Sequence, residues 1–281
     1  MRTIPKPTIK AKPVFLDCIS TVKDAQLKQE YTDCQDIIAD AEIEFDTKFP
    51  QLEIYQIPRN LTLLGNIGKE EMEKVYTYRM VKIGMPGNKF YNSLISSAPY
   101  GKCPLCSVRG VDTLDHYLPK SLYPVFSVVP INLIPACTPC NKGKKITFPS
   151  NGIEQTLHPY YDNVQDESWI KATVLQTIPI SFDYFVDCPN TWSQIQKDRA
   201  TNHFDVFNLN ELFSTHANED LRGAKLHLQK LFNQNPKGLI EHLEDAYLSR
   251  RNELGINSWQ SIMYFSLLNN NWFIQGGVLT F

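Results

Sequence analysis

Two cysteine pairs frame the part of this 281-residue chain that could do chemistry. Cys103 and Cys106 open the stretch "CPLCSVRGVDTLDHYLPKS", and Cys137 and Cys140 sit in "INLIPACTPCNKGKK". Four thiolates make the ligand set of a closed tetrahedral zinc site, which braces a fold and keeps no open position for a reaction. Residues 107–136 lie between the knuckles, a longer gap than in common zinc fingers, so the ion would clamp the two ends of one block. Inside and just past that clamp come Asp115-His116, Asn132, Asn141 and Lys144. A neutral imidazole accepts a proton near neutral pH, where an ordinary carboxylate is the weaker base. One carboxylate and one amide oxygen leave a hard cation such as Mg²⁺ with positions for water and phosphate oxygens. Each residue alone also has an ordinary structural reading: an Asp-His pair can cap a turn, and an asparagine can satisfy a loop or bound a helix.

Adjacent residues of a regular strand face opposite sides, so the Asp115-His116 pair needs a strand end or a bulge to bring both groups into one cleft. Charge points the same way. Residues 101–145 carry Lys102, Arg109, Lys120, Lys142, Lys144 and Lys145 against Asp112 and Asp115, although the whole chain is close to neutral at −2. The first thirteen residues add Arg2, Lys6, Lys10 and Lys12 with no acid. Concentrated positive segments suit a polyanion; the plainer reading is solvated surface and a frayed terminus. Lys120, Lys142, Lys144 and Lys145 are the candidate phosphate contacts, which give affinity without sequence reading. A solvated helix end is their structural alternative. His158, in "TLHPYYD", either returns to the site as a third ligand or phosphate contact, or packs within its loop.

The positioning elements follow from local pattern. Pro5, Pro7 and Pro13 predict an extended arm over residues 1–13. Helical spacing runs from Leu16 to Phe49, "GKEEMEKVYTYRMVKIG" (68–84) has acids in its first turn and Gly84 past its end, and 85–99 forms a short helix closed by Pro99. A strand-like, cysteine-rich block covers roughly 101–160, with strand character again in "IKATVLQTIPISFDYFV". From Thr191 to Asn269 the chain is mainly helical, punctuated at "NQNPKG" and "LGINS". The expected class is α+β: a small zinc-braced module over 101–160 between a mainly helical region at 1–100 and another at 161–281. No apolar run approaches the roughly 18 residues of a membrane span. The N-terminus lacks an apolar signal core, which predicts no membrane association and a cytoplasmic, reducing location. Cys18, Cys34 and Cys188 then read as small buried hydrophobes.

"LDHYLPKS…NLIPACTPCNKGK" resembles the HNH, or ββα-metal, endonucleases, in the branch buttressed by a four-cysteine zinc. The resemblance implies that Asp115 is a metal ligand and His116 the general base. Asn132 would brace the loop and orient His116, and Asn141 would be the second metal ligand where many relatives have histidine. With "SAPYGKCPLC" and "LHPYYD", the chain resembles the HNH subunit of Septu-type anti-phage systems. That resemblance implies a Mg²⁺-dependent nuclease on DNA, working in defence beside an ATPase partner, since this chain has no Walker motif of its own. RNA as substrate, and a non-enzymatic zinc-ribbon binding module, are the alternatives; the latter would need neither Asp115, His116 nor Asn141.

Overall fold

Proline placement sets the start of the chain. The computed structural model describes residues 1–144 and 148–280. In it α1 (Ala11–Ile19) begins two residues before Pro13, so the extended arm ends at Lys10. Pro13 falls in the first helical turn, where a missing N–H leaves no intrahelical bond unmade. The arm is not frayed. Arg2 N donates to Pro104 O at 2.8 Å, Ile4 N donates to Pro159 O at 3.0 Å, and both Met1 and Ile4 are buried.

The chain divides into two compact units, Met1–Asp162 and Asn163–Phe281. Residues 1–100 therefore share one unit with the cysteine-rich block. In the first unit α2 (Ala25–Asp33) starts at Asp24, whose carboxylate accepts from Leu27 N at 2.9 Å. Helix α3 (Gln35–Lys48) carries Phe45 and, just past its end, Phe49 into an aromatic cluster with Tyr117, His158 and Tyr161. A short hairpin of β1 (Thr62–Leu64) and β2 (Ile67–Gly68) leads into α4 (Lys69–Val75), with Glu70 and Glu71 at its positive end. The single helix expected over 68–84 instead changes at Tyr76 into a π-helical stretch, Tyr76–Val81. That wider turn puts Tyr76 and Met80 inward and leaves Tyr78 62% exposed. Helix α5 (Asn88–Ser96) ends before Pro99, as its sequence predicts.

Strands β3 (Thr113–His116) and β4 (Leu133–Ala136) pair antiparallel, with Thr113 opposite Ala136 and His116 opposite Leu133. Leu114 faces Pro135 across the ladder. Proline has no N–H to give, so Pro135 must turn its nitrogen to the outer edge. Helix α6 (Thr138–Lys144) follows directly and packs on β3.

The second unit builds on a hairpin of β5 (Ile170–Leu175) and β6 (Ser181–Val186). Its inward positions, Ile170, Val174, Phe182 and Tyr184, alternate as a one-faced sheet requires. Helices α7 (Gln194–Val206), α8 (Leu209–Gln234), α9 (Pro236–Leu254), α10 (Trp259–Leu268) and α11 (Asn271–Ile274) complete it. Side chains from α8 and α10 lock the hairpin: Ser214 Oγ donates to Phe182 O at 2.7 Å, and Ser266 Oγ to Ala172 O at 2.9 Å. Pro236 at the first position of α9 and Gly255 after its last turn are the punctuation that the sequence shows. The protein is α+β, with small two-stranded sheets set among helices. Among the described residues no helix is long and apolar enough to cross a membrane.

Candidate functional site

The four cysteines converge. Cys103, Cys106, Cys137 and Cys140 are all buried, and their sulfurs lie within 4.8 Å of one another. Cys106 Sγ and Cys137 Sγ are 4.0 Å apart, close to the edge of about 3.8 Å that a tetrahedron of zinc–sulfur bonds demands. The first knuckle is a tight turn, with Ser107 N donating to Cys103 O at 2.7 Å and Ser107 in the left-handed region at φ 62°. The second straddles the start of α6, where Asn141 N donates to Cys137 O at 3.0 Å. The donor set and the spacing both fit a structural zinc ion.

Between the knuckles, Asp115 and His116 occupy the last two positions of β3. The register is regular there, so the pair sits at a strand end without a bulge. Their side chains meet different partners. His116 is 8% exposed, and its Nε2 lies 2.9 Å from the Ser127 carbonyl oxygen. A carbonyl only accepts, so Nε2 carries the hydrogen and Nδ1 keeps its lone pair. Among the described residues Nδ1 has no hydrogen-bond partner, and it is not one of the sealed, unpartnered atoms. Burial, assisted by the nearby Lys120 ammonium, pushes the imidazole pKa down to about 3, so the ring is neutral over the physiological range.

Asp115 is 4% exposed and gives one oxygen, Oδ2, to Lys144 Nζ at 2.8 Å. The same ammonium donates to the His116 carbonyl at 2.6 Å. Burial pushes the Asp115 carboxyl up and the Lys144 ammonium down, while the contact between them opposes both shifts and favours the ion pair. Oδ1 has no protein partner among the described residues. Asn141 lies three residues before Lys144 and so on the neighbouring face of α6; its side-chain amide likewise makes no hydrogen bond among the described residues.

Several expected roles change with the geometry. Lys144 is 6% exposed and turned onto Asp115, so it is not a solvated phosphate contact. Lys142 is exposed, and Lys120 is half-buried with Nζ 5.5 Å from the Tyr76 ring centre. Lys145 lies outside the described residues. His158 is fully buried within the aromatic cluster, its Nδ1 accepting from Tyr160 N at 3.1 Å and its own N–H donating to Asp162 at 2.8 Å. That is the packed-loop arrangement, apart from any metal-ligating group among the described residues. Asn132 is fully buried and braces the loop as expected: Oδ1 accepts from Leu118 N at 2.7 Å, while Nδ2 donates to Leu118 O and Phe126 O. Among the described residues it makes no hydrogen bond to the His116 ring, which the Ser127 carbonyl orients instead.

Two participants had no signal in the sequence. Ser127 acts through its backbone, which any residue could supply. Tyr76 lies 4.5 Å from the His116 ring, edge to face, because the π-helical turn brings it there. Its hydroxyl is held far above the usual phenol range by burial, with the nearby Tyr91 and Asp115 adding to the effect.

Fold and site together define an α+β protein with a closed four-cysteine metal cluster clamping a β-hairpin and helix that present an Asp-His pair. Protein ea31 of Escherichia phage lambda is similar to this chain at 29% identity, over 76% of this chain and 77% of its own length. No family model matches the chain, and no solved structure does.

Proposed function

We propose that this protein is a metal-dependent phosphodiesterase of the HNH, or ββα-metal, type that cuts nucleic acid, with DNA as the substrate. The observation that carries the proposal is the state of His116. One ring nitrogen is fixed as a donor by the Ser127 carbonyl, the other keeps an unpartnered lone pair, and burial holds the ring neutral. The free lone pair is what a general base for water activation needs, and the charge of a bound substrate phosphate would raise the ring's pKa from the value that burial and Lys120 depress. Asp115 and Asn141 would hold a divalent cation, which when bound neutralises charge at the scissile phosphate. His116 Nδ1 would take the proton from the attacking water, and Lys120 and Lys142 would meet the phosphate backbone. The four cysteines and Asn132 would keep the two strands and the loop between them in place around that base.

The experiment incubates purified protein with labelled plasmid, single-stranded DNA and RNA, each with Mg²⁺ or with EDTA. Mg²⁺-dependent cleavage of DNA, lost in His116→Ala, supports the reading. Cleavage of RNA alone moves the substrate. Binding without cleavage on any substrate makes this a zinc-braced binding module, in which the Asp115–Lys144 pair is only a strut. Placement in an anti-phage defence complex under an ATPase partner rests on the Septu-type resemblance, and co-purification of such a chain from its native host tests it.

A further inference from the structure

The Asp115 carboxylate already has a cation. Lys144 Nζ sits 2.8 Å from Oδ2 and 2.6 Å from the His116 carbonyl, and both side chains of the ion pair are only 6% exposed. It spans the dipeptide, one bond to each residue, from the last position of α6. A second lysine is close by: Lys120 Nζ lies 5.5 Å from the centre of the Tyr76 ring, which itself is 4.5 Å from the His116 ring. His116 and Asn141 bring no charge. Among the described residues the cluster therefore holds one carboxylate against two ammonium groups, an inhospitable place for a bare divalent ion despite the oxygen that Asp115 leaves open.

From this, and resting on the nuclease reading above, we propose that Lys144 is a positioning residue that half-occupies Asp115, so that the site takes a divalent cation only together with the phosphate anion of its substrate. The ammonium fixes the carboxylate with Oδ1 outward and cancels its charge. A phosphodiester arriving at the site supplies the negative charge that is missing. Metal and substrate then bind synergistically, and each raises the affinity for the other by the same factor. The free protein would hold little metal beyond its zinc.

The test measures Mn²⁺ binding to the full-length, zinc-loaded protein by water-proton relaxation at pH 8, where the carboxylate stays ionised, with zinc content as the check on folding. In Lys144→Met the Mn²⁺ affinity of the free protein should rise at least about tenfold, since a unit charge a few ångströms from the ion is removed. For the wild type, a phosphorothioate oligonucleotide, corrected for its own Mn²⁺ binding, should produce a comparable gain. Unchanged or weaker Mn²⁺ binding in Lys144→Met overturns the proposal. Should that variant lose its zinc, Lys120→Met, at a half-exposed position, carries the test alone: a rise of about threefold supports the charge argument and no rise overturns it. With the phosphorothioate oligonucleotide present, so that the wild type holds Mn²⁺, Asp115→Asn separates the two levels. If it binds Mn²⁺ as the wild type does, the cation is not at Asp115 and the metal-site reading falls as well. If it abolishes binding while the lysine variants change nothing, only the role of the lysines falls.

Discussion

His116 is the residue on which the proposed reaction turns, and its place there and its buried, neutral state each have a measurable consequence. As general base, its replacement by alanine should lower the cleavage rate by roughly 10²–10⁴-fold while leaving zinc content and nucleic-acid binding intact. Wild-type cleavage by the variant would remove the assignment. The second consequence concerns stability. The ring's pKa in the folded protein is depressed to about 3 from an ordinary 6.5, so below pH 6.5 the unfolded chain takes up a proton that the native state refuses. The stability contributed by His116 is therefore complete above pH 6.5 and drains away as pH falls from 6.5 towards 3, by up to about 1.4 kcal/mol per pH unit. Urea unfolding of wild type and His116→Asn at pH 7.5, 6.5 and 5.5 isolates this limb, because other pH effects are common to both. Parallel pH profiles for the two proteins would show that His116 is not held neutral. At this scale the sequence was informative about identity and silent about partners. Asp115, His116 and Asn132 stood out only together, through the resemblance that their pattern carries. That a backbone carbonyl would orient the imidazole, or that Lys144 would turn inward, could not be read, since a lysine after a CxxC helix start looks the same whether it faces water or a carboxylate.

Among the elements, the β3–β4 hairpin and α6 form one unit because the cysteines seize both ends of it. Replacing Cys137 by serine should remove the zinc and unfold this block, since the ion's binding energy is folding energy; metal analysis showing no bound zinc in the wild type would refute the cluster's role. Asn132 fixes the loop between the strands through three hydrogen bonds in a fully buried setting. Asn132→Ala leaves the Leu118 N–H and the Leu118 carbonyl without their partner and should destabilise the protein by about 1–3 kcal/mol, with a smaller effect on cleavage than His116→Ala. A denaturation midpoint equal to the wild type's would mean that water replaces the amide. Helix ends were legible where their stop signals are chemical: Pro99, Pro236 and Gly255 act through φ and the missing N–H or Cβ. The π-helical stretch was not, because Tyr76–Val81 has ordinary helical residues and the wider turn is imposed by what Tyr76 and Met80 pack against. The strand-like look of residues 101–160 overstated the case for similar reasons. Buried apolar loops such as "YPVFSVVP" share composition with strands, and among the described residues only two four-residue strands form there.

For the molecule as a whole, the metal cluster lies in one of two compact units. Chelating the zinc should raise amide exchange across β3, β4 and α6, while α8, α9 and α10 of the second unit keep their protection. Equal loss of protection in both would show that the zinc braces the entire chain. The split into units was only partly visible in the sequence. The change after Asp162 coincides with the end of the cysteine-rich block, which composition marks. Nothing in composition showed that residues 1–100 share a core with that block, since this depends on Phe45 and Phe49 reaching Tyr117 and His158 from far along the chain.

Pro135 has a bearing on how this chain behaves among copies of itself. A two-stranded sheet ordinarily presents two raw edges on which a stray strand can template. On the β4 side, position 135 has no donor to offer, and the Leu133 carbonyl is taken by the Tyr160 hydroxyl at 2.8 Å. On the β3 side, the His116 carbonyl is taken by Lys144. The hairpin that carries the Asp-His pair is thus blunted on both flanks by the groups packed around that pair, so the same bonds that order the candidate site also discourage strand addition and aggregation.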